Sequence, residues 1–208
     1  MQRSALRQEI ARYRKLLAGM TDEIARAALE ELLQAARRQL ALVEARLFGA
    51  RTSYPPLAVP TRDAQRLGHG FQDAFGASDG LYLLLDPRPG LHIVDVNPAY
   101  ARATLIVRVQ VAGQPLFEIF PDNPADRTAD GVANLFDSLC LAAETGRPHA
   151  MATQRYDIRD PTGRWLERHW RPRNTPLFDD AGRLAFLLHH VEDATAAVLG
   201  RPPRRASA

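Results

Sequence analysis

Cysteine is almost absent from this 208-residue chain: Cys140 is the only one, so an internal disulfide and a cysteine-only zinc site are both excluded. No run of about eighteen apolar residues occurs, which leaves nothing to span a bilayer as a helix. The opening Met1-Gln2-Arg3-Ser4 leads into mixed polar sequence and lacks the apolar stretch of a signal peptide. These absences point to a soluble, cytoplasmic protein without a membrane partner. Lysine is nearly missing as well: Lys15 stands alone among 27 cationic side chains, which reads as compositional bias rather than phosphate recognition. What is present is an ordinary globular composition, 46% hydrophobic and 25% charged, so a disordered chain is excluded and a real core is available.

The net charge of +3 comes from the ends of the chain. Residues 1–50 carry nine basic and six acidic groups, whereas residues 51–208 carry eighteen of each. Within that second part, residues 80–199 hold fifteen acids against twelve bases, and the last nine residues hold three arginines. A nucleic-acid binder needs a basic face on its folded body. This body is slightly acidic, and no nucleic-acid partner is expected.

Residues 1–50 read as an αα-hairpin. Leu6, Ile10, Tyr13, Leu17 and Met20 recur at helical spacing. Gly19 offers a stop and Thr21 an N-cap for a second helix, whose seam runs through Leu29, Leu33, Ala36, Leu40, Val43 and Leu47. The two seams either bury each other, pack on the following domain, or form a dimer or partner coiled coil. Residues 51–79 read as a linker, with Tyr54-Pro55-Pro56 and Pro60 forbidding helix, and a lead-in helix from Asp63 to Phe75.

From Gly80 the pattern turns to short strands. Leu81–Leu85 and Leu91–Val96 flank the turn cluster Asp86-Pro87-Arg88-Pro89-Gly90. Asn97 caps a short helix with Pro98 in its first turn. A longer helix, Asp130 to Glu144, carries Val132, Leu135, Phe136, Leu139 and Ala143 on its apolar face, and Gly146-Arg147-Pro148 ends it. Three strands follow, at about 149–159, 164–177 and 183–192, joined at Asp160-Pro161-Thr162-Gly163 and Asp179-Asp180-Ala181-Gly182. This order is α+β, with one antiparallel sheet covered by helices.

Several of these segments resemble the PAS domain family. Ile93-Val94-Asp95-Val96-Asn97-Pro98-Ala99-Tyr100 is similar to the end of the family's first hairpin and its capped helix. Gly113-Gln114-Pro115-Leu116-Phe117-Glu118-Ile119-Phe120-Pro121 resembles its Gly-x-x-Leu-Phe-x-x-Phe-Pro segment. Asp180-Ala181-Gly182-Arg183 resembles the turn before the last strand, and Glu192-Asp193-Ala194-Thr195 resembles the Asp-x-Thr motif that ends the domain. The match covers roughly 80–198 and looks most like PAS domains attached to bacterial sensor histidine kinases, members of two-component systems. The resemblance implies a PAS-like five-stranded antiparallel sheet with helices on one face and a cavity that can hold a ligand. It also implies sensing as a homodimer, with output through the segment after Asp193 and Thr195. Only thirteen residues follow Thr195, so the expectation is either a chain acting through a signalling partner protein or a piece of a longer sensor. Residues 199–208 read as a basic flexible tail.

The chemistry is sparse. Cys140 lies at the edge of the long helix's apolar face, outside the Asn-Cys-Arg-Phe-Leu-Gln sequence of flavin-binding LOV domains, and reads as a small hydrophobe. The long helix has no histidine for haem, although His149 sits just past it, and no phosphate-binding signature marks a flavin; the cofactor is left unknown, with haem and flavin both kept open. His190 and Glu192 share one strand face while His189 takes the other, which is too few ligands for zinc. No nucleophile–base order or phosphate loop suggests an enzyme. Trp165–Arg171 is the richest strand, with Leu166, Arg168 and Trp170 on one face: a Trp–Arg pair suited to an aromatic or carboxylate ligand, or simply core and a cross-sheet ion pair. Candidate cavity residues are thus Phe136, Leu139, Cys140, Arg168, Trp170 and Asn174, with Asp193 and Thr195 as coupling residues. The competing reading is a ligand-free interaction module whose cavity is filled by side chains.

Overall fold

The computed structural model describes residues 2–48 and 64–200, and of 64–68 only the helical backbone. Residues 51–63 of the proposed linker and 201–208 of the basic tail therefore lie outside the described residues. Helices α1 (Gln2–Ala18) and α2 (Glu23–Ala45) form an antiparallel hairpin. Ile10 is buried, while Leu6, Tyr13, Leu17 and Met20 are half-buried in the seam. The N-cap of α2 is Asp22, not Thr21: its carboxylate accepts from the Ala25 N–H at 2.8 Å. Three residues is the separation at which a short acceptor reaches a free first-turn amide.

The hairpin is part of the domain. The side of α2 that carries Ala41 and Ala45, together with Phe48, enters the same core cluster as the sheet and packs on α7 (Gly131–Thr145). Phe48 meets Phe136 edge-on at 6.0 Å. Arg38 Nε donates to the buried Asp122 carboxylate at 2.6 Å, and the other oxygen of Asp122 accepts from Val132 N–H at 3.0 Å, in the first turn of α7. Asp122 thus caps α7 from outside the helix while holding α2. Helix α2 thus packs on the following domain as well as on α1, but through Ala41, Ala45 and, just past its end, Phe48 rather than the expected seam residues, of which Leu47 is exposed.

The lead-in helix is α3 (Ala64–Phe75). Strands β1 (Leu81–Asp86) and β2 (His92–Val96) form the first hairpin, followed by α4 (Pro98–Thr104), α5 (Arg108–Val111) and α6 (Leu116–Ile119). Asn97 caps α4 through a 2.9 Å bond from Tyr100 N–H, as the Asn-Pro pair predicts. After α7, which ends at Gly146 in the left-handed region (φ 66°), come β3 (His149–Ala150), β4 (Gln154–Arg155), β5 (Ile158–Arg159), β6 (Trp165–Leu166), β7 (His169–Phe178), β8 (Leu184–Asp193) and α8 (Thr195–Val198).

The antiparallel sheet has the order β2-β1-β8-β7-β3, with β4 also on the outer edge of β7, so five strand positions are filled. The expected single strand over 149–159 is instead three short pieces. Pairing jumps from Ala150↔Arg173 to Gln154↔Trp170, one residue more on the edge strand than on β7. Pro172 has no N–H to offer the ladder there, and an edge strand opposite a proline bulges. The expected strand over 164–177 is also split, because β6 leaves the sheet to pair with β5.

Leu83, Leu85, Ile93, Leu187 and Val191 join the main core with Leu135 and Leu139 from α7. Each such side chain contributes roughly 1.5–3 kcal/mol when fully buried. Leu84 and Val94 form a second cluster with Phe71 of α3. Among the described residues no helix is long and apolar enough to cross a membrane.

Candidate functional site

Between the helices and the sheet lies a cavity of about 50 Å³. Its apolar walls include Leu116, Phe120, Leu135, Ile158, Trp170 and Val191. The edge-strand bulge turns Met151 and Gln154 toward it, α4 contributes Tyr100 and Thr104, and β8 contributes His189. Gly131 lets the Tyr156 ring sit against the start of α7; a Cβ there would come within 2.2 Å of the ring. Thr104, Phe120 and Ile158 also line an outer groove that continues over Leu105, Val107 and the β5–β6 turn, so this wall separates cavity from solvent.

Most polar groups in the wall are satisfied within the protein. Trp170 Nε1 donates to Tyr156 O at 2.9 Å, and the Tyr156 hydroxyl donates to Phe120 O. Thr104 Oγ1 donates to Tyr100 O at 2.8 Å, and Gln154 Oε1 accepts from Asn134 at 2.6 Å. Two groups differ. Tyr100 and His189 are only 5% and 4% exposed, yet the Tyr100 hydroxyl and His189 Nε2 have no hydrogen-bond partner among the described residues. Neither atom is sealed into packed side chains, and both residues line the cavity. The two rings meet edge-on at 6.2 Å. Burial raises the Tyr100 phenol above its ordinary range. Burial, with a smaller contribution from neighbouring His190, pushes His189 down to about 3, so the imidazole is neutral.

A buried chain of polar side chains fixes the tautomer of His189. Its Nδ1 lies 2.7 Å from Asn174 Oδ1; Asn174 Nδ2 donates to Ser138 Oγ at 2.7 Å, and Ser138 Oγ is 2.7 Å from His149 Nδ1. Asn174 Nδ2 also faces the Met151 sulfur at 3.9 Å. Sulfur accepts, so Nδ2 is on that side and Oδ1 faces the histidine. Nδ1 of His189 therefore carries the proton, and Nε2 offers a lone pair to the cavity.

The candidate residues read from the sequence separate. Trp170 lines the cavity, and Asn174 orients His189, which does. Phe136 and Leu139 are buried in the core, where Phe136 contacts Phe48 and Phe117. Cys140 is half-buried, and its thiol is pushed up to about 12, first by burial and then by Glu144, Asp137 and Glu44. Arg168 falls in the gap between β6 and β7, so the strand alternation that paired it with Trp170 is broken; its guanidinium donates to Glu167 O at 3.1 Å. At the exit, Asp193 accepts from Thr195 N–H at 2.9 Å, and Thr195 Oγ1 accepts from His169 N–H at 2.9 Å. Tyr100, Met151, Gln154 and His189 are cavity residues that the sequence reading missed. Their signals were faint: Tyr100 stands three residues after the Asn97 cap, and His189 takes the inward position of an alternating strand.

Cofactor sites ordinarily enclose about 300–1,000 Å³. This cavity is far smaller, and no arginine or lysine lines it to hold a phosphate or propionate. Haem and flavin do not fit it.

A family model described as PAS fold matches residues 76–199, more than half of the chain. The chain belongs to the PAS family, and its general role is sensory or regulatory. A comparison with curated proteins found no match. Solved structures similar to it include an RNA-binding light-oxygen-voltage receptor, with 19% identity and a TM-score of 0.44 over 73% of this chain and 38% of that one. A PAS domain from Colwellia psychrerythraea has 16% identity and a TM-score of 0.46 over 61% of this chain and 96% of that one. The LOV protein of Rhodobacter sphaeroides has 17% identity and a TM-score of 0.46 over 64% and 73%. The chain thus spans well under half the length of the light-oxygen-voltage receptor.

Proposed function

We propose that this chain is a non-enzymatic PAS sensor of bacterial, cytoplasmic signal transduction, whose cavity binds a small molecule and whose output passes through a homodimer or a partner protein. The observation that carries the reading is the pair of free polar atoms, the Tyr100 hydroxyl and His189 Nε2, held in an otherwise apolar and internally satisfied wall. Buried polar groups ordinarily have partners, so a pair left free at a cavity is suited to a bound ligand. Resemblance to PAS domains of sensor kinases supports the signalling context. The volume of about 50 Å³ favours a second reading, a ligand-free interaction module in which the space holds only water. A native mass spectrum of the purified full chain separates the two: a retained small molecule supports the sensor, and a bare protein mass together with no stabilisation by any member of a small-molecule panel supports the module.

A further inference from the structure

Resting on that sensory reading, we infer that the cavity recognises a small uncharged alcohol or phenol, its hydroxyl group bound between Tyr100 and His189. The donor pattern dictates this group. His189 Nδ1–H is engaged by Asn174 Oδ1, so Nε2 accepts a proton-bearing ligand atom; the Tyr100 O–H has no acceptor in the protein and donates back. A hydroxyl does both with one oxygen. A ketone satisfies only Tyr100, and a hydrocarbon satisfies neither.

Charge is selected against on both signs. None of the residues lining the cavity is an arginine, lysine, aspartate or glutamate. A carboxylate would lose its hydration without a counter-charge, and an ammonium ion would do the same. Size is limited too. A volume of about 50 Å³ is a small fraction of an ordinary ligand site of about 300–1,000 Å³. One ring is the upper limit, with Met151, an unbranched thioether, as the part of the wall able to adjust. Trp170, Phe120 and Leu116 supply the apolar contact for the body of such a molecule.

The test uses the full chain and three single-ring probes: phenol and toluene, matched in size, and benzoate, which is charged and two heavy atoms larger. Calorimetric titration is expected to show phenol binding about tenfold tighter than toluene, the worth of roughly one or two net hydrogen bonds, and no benzoate binding. Tyr100→Phe should reduce the phenol preference several-fold while toluene binds as before. Independently of any variant, phenol should move the His189 Nε2 resonance in nitrogen NMR of histidine-labelled protein and leave Nδ1 nearly in place. Benzoate binding as tightly as phenol, equal affinity for phenol and toluene, or an unmoved Nε2 resonance overturns the inference. If no probe binds but the native spectrum shows another retained molecule, the ligand class is wrong while the sensory reading stands. If no probe binds and nothing is retained, both fall.

Discussion

His189 on β8 and Asn174 on β7 are aligned partners across the sheet, and the imidazole donates to the amide oxygen at 2.7 Å. Both are buried, Asn174 completely. The amide is the junction of the chain that runs from the cavity to Ser138 on α7 and His149 on β3. Asn174→Ala removes one acceptor and two donors at once, leaving His189 Nδ1–H without a buried partner. An orphaned buried donor costs about 1–3 kcal/mol. Urea denaturation should therefore show a loss of that size, and a change under about 0.5 kcal/mol would mean that the network does not hold the fold together.

The same histidine predicts an acid-sensitive stability. Its folded value of about 3 lies below the ordinary 6.5, so the folded state favours the neutral ring. That contribution is fully present above about pH 6.5 and is lost as the pH falls toward about 3; by about pH 5 the loss amounts to roughly 2 kcal/mol. Beside it on the strand, His190 stacks on Tyr82 at 4.7 Å and is also held below its ordinary value, chiefly by burial. Stability measured in urea at about pH 7.5 and pH 5 should fall more in the wild type than in His189→Gln. Equal falls in the two proteins would assign the acid sensitivity to other groups.

Local chemistry made much of the fold legible. The Asn97 cap, the left-handed stop at Gly146 and the Asp160 and Asp179 turns are each set by residues within a few positions. Asp160 accepts from Thr162 and Arg164 N–H, and Asp179 from Ala181 and Arg183 N–H. The bulge at 151–153 was not legible, because it depends on Pro172 across the sheet. The site was harder still. Helical periodicity identifies the buried face of α7 that carries Phe136 and Leu139, but not which part of that face borders a void. Tyr100 and His189 are 89 positions apart and meet only because β8 returns to the inner sheet face beneath α4. Arg168 misled because alternation holds only along an unbroken strand.

At the exit of the domain, Asp193→Ala should leave the fold nearly intact. Asp193 is exposed, and its bond to Thr195 N–H is worth about 0.5–1.5 kcal/mol. The change loosens the first turn of α8, whose remaining ties to His169 are Ala194 N–H, donating to its carbonyl at 2.8 Å, and Thr195 Oγ1, accepting from its N–H. The expected outcome is an unchanged circular dichroism spectrum and nearly unchanged melting temperature, with altered dimer geometry by small-angle scattering. A variant that loses stability but keeps the wild-type scattering profile would make Asp193 purely structural.

The proposed homodimer is placed on the hairpin by what the domain leaves uncovered. Packing on α7 engages Ala41, Ala45 and Phe48, but Ile24 is 85% exposed, and Leu16 and Leu32 are exposed as well. These three lie toward the turn end of the hairpin, away from Phe48. A second copy can cover these side chains by two-fold symmetry. Cutting the chain at Ser53 would strip Ala41, Ala45 and Phe48 from the core and confuse dissociation with unfolding. Ile24→Glu with Leu32→Glu avoids this, since neither side chain enters the domain core. Sedimentation at micromolar concentration should give a dimer for the full chain and a folded monomer for the double variant. A monomeric wild type, or a double variant that remains a dimer, would remove the hairpin from the account of self-association.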